Sequence, residues 1–213
     1  MKSKGAVNSA NSLTAANFRG RLCIYSVPAA LRNHVEWAIL QTLQTLQTLQ
    51  TQSKPKIQVS NLNNLKELWV AVDAGQFGLE IQWHSESSTA PKLVNALKIW
   101  KLIRFEVSEL NAEGSVLYRA TPDLGIHQAN IDSLGNVILA ESKIKSCIES
   151  SYSQQKLISN LESALGVAWD TELEPFRIAW SQRFLSKPDK ILDRKSTRLN
   201  SSHSQQSRMP SSA

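Results

Sequence analysis

The segment from Pro91 to Ser108 joins an amphipathic helix directly to an alternating strand, and this pairing strongly constrains the fold of the 213-residue chain. Leu93, Leu97 and Trp100 recur with the spacing of one helical face. Pro91 suits the first turn of a helix, where its missing N–H is not needed. We therefore expect a helix whose last aromatic residue, Trp100, fills the junction between helix and sheet as a buried ring.

The residues that follow this helix alternate between apolar and polar side chains, which is the pattern of a half-buried strand. The apolar set is Ile103, Phe105 and Val107, and the polar set is Arg104, Glu106 and Ser108. A helix with one apolar face packs on a strand with one apolar face as two layers. The segment therefore predicts an α+β core.

Residues 22–108 as a whole show the order strand, helix, strand, strand, helix, strand. The apolar run Leu22–Val27 is the first strand, and Ile57–Val59 and Leu79–Trp83 are the second and third. This order predicts a ferredoxin-like βαββαβ unit, which is an antiparallel sheet with two helices on one face. Leu68–Val72 is either an extra strand or part of an insertion.

The first predicted helix starts after Pro28 and runs into a low-complexity block, QTLQTLQTLQTQ, at residues 41–52. In its first part, Val35 and Ala38 share the apolar face and Glu36 lies on the other side. Leucines spaced by three residues drift around a helix, so they do not hold one stripe. We expect a repeat expansion that lengthens the helix. The alternative is a partner-binding coiled coil, which needs alternating three- and four-residue spacing.

The second half of the chain predicts a β-hairpin and two helices as an extension of this core. The hairpin spans Ile126–Ala140, with Gly135 in its turn. The helices span Glu141–Tyr152 and Gln154–Leu165, and Gly166 is placed to cap the second one.

We expect one α+β domain over residues 19–185, in which residues 22–108 form the core and residues 109–185 the extension. Residues 1–18 and 186–213 lack apolar periodicity, so we expect a disordered leader and a disordered tail.

Part of the tail does not resemble natural protein sequence. Residues 193–203 read DRKSTRLNSSH, which resembles the translation of a common sequencing-library adapter. Residues 193–213 are therefore expected to be artefactual, with the natural C-terminus missing.

The formal net charge of +6 comes from the two ends of the chain. Basic residues outnumber acidic ones only within residues 1–20 and 193–213, and the body between them is balanced. This distribution argues against a nucleic-acid partner.

Cys23 and Cys147 both lie in apolar patterns, as reduced thiols of a cytoplasmic protein do. No apolar run is long enough to span a membrane.

The sequence contains no phosphate-binding, dinucleotide, zinc or nucleophile-elbow motif. We therefore predict no catalytic residue, no metal site and no cofactor. His34, His84 and His127 are isolated from one another and are interpreted as surface or structural residues.

Eight polar or aromatic residues in the most distinctive segments are candidates for binding a ligand or partner. They are His34, Glu36, Trp37, Arg104, Glu106, His127, Glu174 and Arg177. The favoured interpretation of the first three has Trp37 packed under the sheet, with His34 and Glu36 either in solvent or acting as helix-capping groups.

Arg104 and Glu106 share one face of their strand. This is either an exposed face of the sheet or the place of an internal salt bridge under the C-terminal segment. In the second case the acidic segment Trp169–Arg177 docks there, with Glu172 or Glu174 reaching Arg104.

Five stretches of the chain carry a resemblance to a known family. They are RGRLCIYSVPAALRNHVEWA (Arg19–Ala38), LEIQW (Leu79–Trp83), Lys92–Glu109, TPDLGIHQANIDSLGNV (Thr121–Val137) and WDTELEPFR (Trp169–Arg177). The body of the chain resembles the actinobacterial family of unknown function DUF3145. The resemblance implies no mechanism. The family's genes lie near fatty-acid synthesis genes in some members, which implies at most a link to lipid metabolism.

The leading hypothesis is a non-enzymatic cytoplasmic domain that binds a protein partner or a small ligand. One alternative is an enzyme or accessory factor of fatty-acid or lipid metabolism that uses His34, Glu36 and His127. A cavity that joins two of these three side chains would favour it. A second alternative is an RNA-binding module, which needs exposed aromatic residues on two central strands. No oligomeric state is predicted.

Overall fold

The computed structural model describes residues 18–48, 57–59, 65–112 and 114–185. Residues 1–17 of the predicted leader, the end of the QTL block and the tail lie outside the described residues. Residue 18, the last one assigned to the leader, is the first residue of a strand.

The described residues form eight strands and six helices. The strands are β1 (Phe18–Pro28), β2 (Ile57–Val59), β3 (Val70–Asp73), β4 (Gln76–Ser85), β5 (Arg104–Leu110), β6 (Ser115–Thr121), β7 (Gly125–Ile131) and β8 (Val137–Ile138). The helices are α1 (Ala29–Thr48), α2 (Leu65–Leu68), α3 (Ala90–Leu97), α4 (Glu141–Glu149), α5 (Gln154–Leu165) and α6 (Val167–Leu185). The predicted α+β class is confirmed.

All described strands belong to one antiparallel sheet. Its order is β2-β4-β1-β5-β6-β7-β8, and β3 also pairs with β4. A simple four-stranded unit does not describe this sheet, because it continues past β5 into β6, β7 and β8. The ambiguous stretch Leu68–Val72 proves to be part helix and part strand.

Helices α1 and α3 cover the first face of the sheet, where the larger apolar cluster lies. The predicted inward residues of the organising segment are confirmed, because Leu93, Leu97, Phe105 and Val107 are all buried. Trp83 is the largest fully buried side chain of this cluster. The alternation of β5 therefore divides its side chains between an apolar face and a polar face, as the sequence predicts.

The N-terminus of α3 is capped by a carboxylate from β5. Buried Glu109 accepts hydrogen bonds from the backbone N–H of Thr89 at 2.7 Å and of Ala90 at 2.9 Å. Ser88 Oγ donates to its other oxygen at 2.5 Å. These donors have no partner within the helix, and a carboxylate also interacts favourably with the helix dipole. The cap ties α3 to the strand that follows it.

The orientation predicted for Glu36 and Trp37 is wrong. Glu36 is only 5% exposed and accepts a hydrogen bond from Trp69 Nε1 at 2.9 Å, whereas the Trp37 side chain is 62% exposed. The indole N–H satisfies an acid that would otherwise be costly to bury. Trp69 comes from the insertion before β3, so its contact with α1 does not follow from the pattern of α1 alone.

The full burial predicted for Trp100 is also wrong. Helix α3 ends at Leu97, and Lys98 N–H closes its last turn on the Val94 carbonyl. Trp100 lies in the following turn and is half-buried against the edge of the core. Its truncation should therefore cost less than the loss of a fully buried aromatic residue.

The QTL block extends α1, and removing one unit shows how much of the block contributes to the core. The helix continues to Thr48, which both interpretations of the block expect, and Leu43 is fully buried in the core. The repeat units are identical, so deletion of any one unit leaves the sequence unchanged through Thr48. We expect this deletion to change the free energy of unfolding by less than about 0.5 kcal/mol in urea denaturation.

The matched variant is Leu43→Ala, which should cost about 2–5 kcal/mol because it leaves a cavity. A deletion as destabilising as Leu43→Ala would show that the block beyond Thr48 contributes to the stability of the core.

Candidate functional site

The second face of the sheet carries polar side chains and is partly covered by α6. Leu173 and Trp180 of this helix are buried against Cys23 and Tyr25 of β1. A helix here does not follow from the sequence pattern, because Pro175 lies within it and proline removes a helical hydrogen bond. The docking of α6 makes this face a second, smaller core.

Glu106 of β5 is the centre of a hydrogen-bond network under α6. Its Oε2 accepts from the Tyr25 hydroxyl at 2.6 Å and from Arg177 Nε at 3.1 Å. Its Oε1 accepts from Arg177 Nη2 at 2.6 Å and from Arg119 Nε at 3.3 Å. One carboxylate thus connects β1, β6 and α6.

A second layer of acids completes this network. Asp170 Oδ1 lies 2.9 Å from Arg119 Nη2 and 2.8 Å from Arg177 Nη1. Glu174 Oε2 accepts from Arg177 Nη1 at 2.9 Å. Burial acts to lower the pKa of Arg177, but the hydrogen bond and charge of Glu106 outweigh it and raise that pKa above its ordinary value. We call these residues, with Glu106 and Tyr25, the Glu106 network.

The predicted docking of the acidic segment on Arg104 is confirmed. Arg104 Nε donates to Glu172 Oε1 at 3.3 Å, and its guanidinium carbon lies 4.7 Å from the centroid of the Phe176 ring. Of the two acids considered, Glu172 makes this contact, while Glu174 pairs with Arg177.

A further ion pair lies on β1 and β4, beside the Glu106 network. Arg21 donates to both carboxylate oxygens of Glu80, at 2.9 and 3.0 Å, and Trp180 Nε1 donates to the same acid at 3.3 Å. Burial acts to raise the pKa of Glu80, but the hydrogen bonds from Arg21 hold that pKa below its ordinary value. Both charges of the pair are therefore satisfied at neutral pH.

An open groove of about 300 Å³ lies on the second face beside these ion pairs. We call it the sheet groove. Its lining comes from β1, β5, β6, β7 and the β7–β8 turn. The lining residues are Arg21, Cys23, Tyr25, Glu106, Ser108, Leu110, Leu117, Ile131, Ser133, Leu134 and Gly135. Four of them are large apolar residues, which we call the apolar wall: Leu110, Leu117, Ile131 and Leu134. Leu134 lies in the β7–β8 turn and is 85% exposed, so it forms the rim of this wall.

The reactive groups of the sheet groove are held in their protonated forms. Burial raises the pKa of the Cys23 thiol to about 12, and the charge of Glu80 adds to the effect. Burial also raises the pKa of the Tyr25 phenol, and the nearby Cys23 and Glu106 add to it. None of the described residues that line the groove is a histidine. Among these residues, the groove therefore presents neither a thiolate nor an imidazole beside Ser108.

His127 lies apart from the sheet groove, beside a second cavity of about 370 Å³ between β7, α4 and α5. Its Nε2 lies 3.2 Å from the Ala164 carbonyl oxygen, so this nitrogen carries the donated proton. The ring packs against Trp169, with centroids 5.0 Å apart. It also lies so close to Gly166 that a Cβ there would be 2.5 Å from the ring. His127 thus holds the end of α5, where Gly166 forms the predicted left-handed cap.

This packing predicts a pH-dependent stability. Burial lowers the pKa of His127, and the charges of Arg119 and Lys143 assist, while the hydrogen bond to Ala164 opposes. The unfolded chain therefore binds the proton first as the pH falls. The stabilisation is fully present above about pH 6.5, the ordinary value, and is lost as the pH falls through the lower folded-state pKa.

We expect the free energy of unfolding to fall between about pH 7 and pH 5, with a smaller fall in His127→Gln. Chemical denaturation across this range measures both slopes. Equal slopes in the two proteins would contradict the assignment, and His84→Gln, at an exposed histidine, serves as the control.

The structure brings together only some of the eight candidate residues. Glu106, Glu174 and Arg177 share the Glu106 network, with Arg104 beside them under α6. Helix α1, which carries His34, Glu36 and Trp37, covers the opposite face. The two cavities contain neither His34 nor Glu36.

Sequence reasoning missed several residues of this surface. They are Arg21, Tyr25, Arg119, Asp170 and the four apolar residues of the groove wall. Arg21, Cys23 and Tyr25 alternate with Leu22 and Ile24 along β1. This alternation in the sequence could have assigned the first three to the second face of the sheet.

In the part of the chain that the structure describes, the fold is of the α+β class. One antiparallel sheet carries α1 and α3 on its first face and the charge-paired helix α6 on its second. The family model described as "Protein of unknown function (DUF3145)" matches residues 21–185, and the chain belongs to this family. Neither a curated protein nor a solved structure matched the chain.

Two searches of the described residues were negative. None of their helices is long and apolar enough to cross a membrane. They also contain no cluster of three or more His, Cys, Asp or Glu side chains arranged to hold a metal ion.

Proposed function

We propose that this protein is a non-catalytic binding domain that holds a small amphipathic molecule in the sheet groove. The observation that carries the proposal is the composition of the groove. An apolar wall with an exposed rim stands over a polar floor whose charges are paired and whose thiol and phenol are protonated. Such a surface offers apolar contact and hydrogen bonds but no reactive group.

The ion pairs in the floor of the groove favour a neutral ligand over a charged one. Glu106 is neutralised by Arg119 and Arg177, and Arg21 is neutralised by Glu80. A charged ligand would have to compete with these pairs, whereas a neutral one needs only hydrogen bonds and apolar contact. The volume lies at the lower end of the range for small-molecule sites, so the ligand is compact.

The positions of the candidate acid–base residues support binding over catalysis. His34 and Glu36 lie on α1, which covers the first face, while His127 lies beside α5. Glu36 is committed to Trp69, and His127 to Ala164. General acid–base catalysis needs these groups within hydrogen-bond reach of one substrate. Their separation weighs against the alternative of an enzyme of lipid metabolism that uses all three.

Titration with Nile red, a neutral environment-sensitive dye, tests the proposal by fluorescence. We expect saturable binding to the wild type and at least about tenfold weaker binding to Leu134→Asp, which places a charge on the apolar rim. The variant should fold normally because Leu134 is exposed in a turn. Leu124→Asp, at an exposed leucine in the β6–β7 turn, is the matched control and should bind like the wild type.

Equal affinity of the wild type and Leu134→Asp would place the dye elsewhere and would contradict the proposal. Weakening by Leu124→Asp alone would do the same.

A protein partner is a second candidate, favoured by one specific observation. Ile144 and Ile148 are exposed one turn apart on α4, and Ile158 of α5 and Tyr152 between the two helices are also exposed. Exposed apolar side chains grouped on neighbouring helices are typical of a protein interface. If a protein co-purifies with the wild type but not with Ile148→Asp, and the variant still binds Nile red, the protein interface is separate from the sheet groove.

Two finer assignments belong to the same proposal. The order β5-β1-β4-β2 supports a ferredoxin-like unit that has been extended by further strands. The free, buried thiols of Cys23 and Cys147 support a reducing, cytoplasmic location. An RNA-binding function lacks this kind of support, because the aromatic side chains on the described strands are buried or half-buried.

A further inference from the structure

We propose that the turn between α3 and β5, residues 98–102, docks the protein on an anionic phospholipid surface. The sequence of this turn is Lys-Ile-Trp-Lys-Leu. We call it the KIWKL turn. None of its residues is among the described residues that line the sheet groove.

The apolar residues of the KIWKL turn point into solvent. Ile99 is 66% exposed and Leu102 is 61% exposed, although both flank residues that belong to the core. Trp100 lies between them and is half-buried against the core, which anchors the turn. Two large aliphatic side chains held out by an anchored tryptophan provide an apolar tip that can enter the headgroup region of a bilayer.

The charge of the turn complements an anionic surface. Lys98 and Lys101 are exposed on either side of Trp100. Residues 90–103, which comprise α3 and the turn, contain no acidic residue. Lysines beside an apolar tip are attracted to anionic lipid headgroups while the apolar side chains are buried.

The geometry of the tip favours a bilayer over a protein partner. A protein interface buries its anchors in a matching pocket and is usually contiguous. Here the exposed apolar residues are few and alternate with lysines, so a partner protein would have to supply an acid-lined pocket for a short turn. A lipid surface needs no matching shape, and it accepts both the apolar tip and the positive charges.

Flotation of the full chain with lipid vesicles tests the inference. We expect the wild type to bind vesicles of phosphatidylcholine and phosphatidylglycerol and to bind phosphatidylcholine vesicles much more weakly. Lys98→Gln/Lys101→Gln should lower the partition coefficient on the anionic vesicles by about thirtyfold. Ile99→Ser/Leu102→Ser should lower it by at least about tenfold. All four positions are exposed, so unchanged melting temperatures should show that the variants fold.

Ile148→Ser is the matched control, because it removes an exposed isoleucine from α4 and should leave vesicle binding unchanged. The basic residues at the two ends of the chain are common to every variant and cancel in the comparison.

Three outcomes would overturn the inference. They are no binding of the wild type to anionic vesicles, equal binding to neutral and anionic vesicles, and wild-type binding by both turn variants. Capture of a protein by the turn without any vesicle binding belongs to the first outcome and would assign the turn to a protein interface.

Discussion

Replacing Glu106 with glutamine should lower the free energy of unfolding by about 3 kcal/mol. The change leaves Arg119 and Arg177 partly buried beside a neutral amide, and it replaces an acceptor of Tyr25 with a group that also donates. The side chains of Glu106, Arg119 and Arg177 are 14%, 12% and 22% exposed, so solvent screens these interactions only in part. A domain of this size has a total stability of about 5–15 kcal/mol. Urea denaturation at neutral pH measures the loss.

Glu174→Gln is the matched control for this prediction. Glu174 also pairs with Arg177, but its side chain is 54% exposed. A pair of this kind contributes little, so the change should be below about 0.5 kcal/mol. Similar losses in the two variants would show that the Glu106 network does not hold α6 on the sheet.

Replacing Gly20 with alanine should cost about 3 kcal/mol, because the new methyl group meets the indole of Trp83. Gly20 and Trp83 are paired across β1 and β4. A Cβ on Gly20 would overlap the ring atoms Cε2 and Cζ2. The indole is fully buried and has no room to retreat, so the strands must separate or the ring must leave its rotamer. Thermal and urea unfolding both report the loss.

Gly114→Ala is the control, since a Cβ there meets no atom within 4 Å. We expect its stability to remain within about 0.5 kcal/mol of the wild type. The double variant Gly20→Ala/Trp83→Leu should lose less unfolding free energy than the two single variants lose together, because the smaller leucine side chain leaves room for the new methyl group. Additive losses would show that Gly20 is destabilised for a different reason.

Several features of the fold follow from local sequence, because they depend on one element at a time. The alternation of Ile103, Phe105 and Val107 assigns the two faces of β5 without reference to other elements. The same argument places Gly166 at the end of α5, where a left-handed residue is needed. The docking of the acidic segment on Arg104 was one of two interpretations of this face. The sequence did not decide whether Glu172 or Glu174 makes the contact.

Other features depend on contacts between distant parts of the chain. The burial of Glu36 needs Trp69, which lies 33 residues further on. The sheet groove is assembled from four strands and a turn, so no single window of sequence contains it. Helix α6 is the clearest case, because the local penalty of Pro175 is offset by the ion pairs and by the burial of Leu173 and Trp180.

The charge pairing of the second face has a functional consequence. Arg21, Arg119 and Arg177 each have a carboxylate partner, so the polar floor of the sheet groove is built to be stable before any ligand binds. A preorganised floor lowers the cost of ordering side chains on binding. Under the binding proposal, the specificity of the groove comes from the apolar wall and from Ser108, which also lines the groove.

Methyl NMR of the full chain, titrated with the neutral amphipathic alcohol 2-naphthol, tests the central claim most directly. The binding proposal predicts saturable shifts of the Leu110, Leu117, Ile131 and Leu134 methyl signals, and their loss in Leu134→Asp. Unchanged signals from these four residues, with shifts confined to the exposed methyls of α4 or of the KIWKL turn, would contradict a ligand site in the sheet groove.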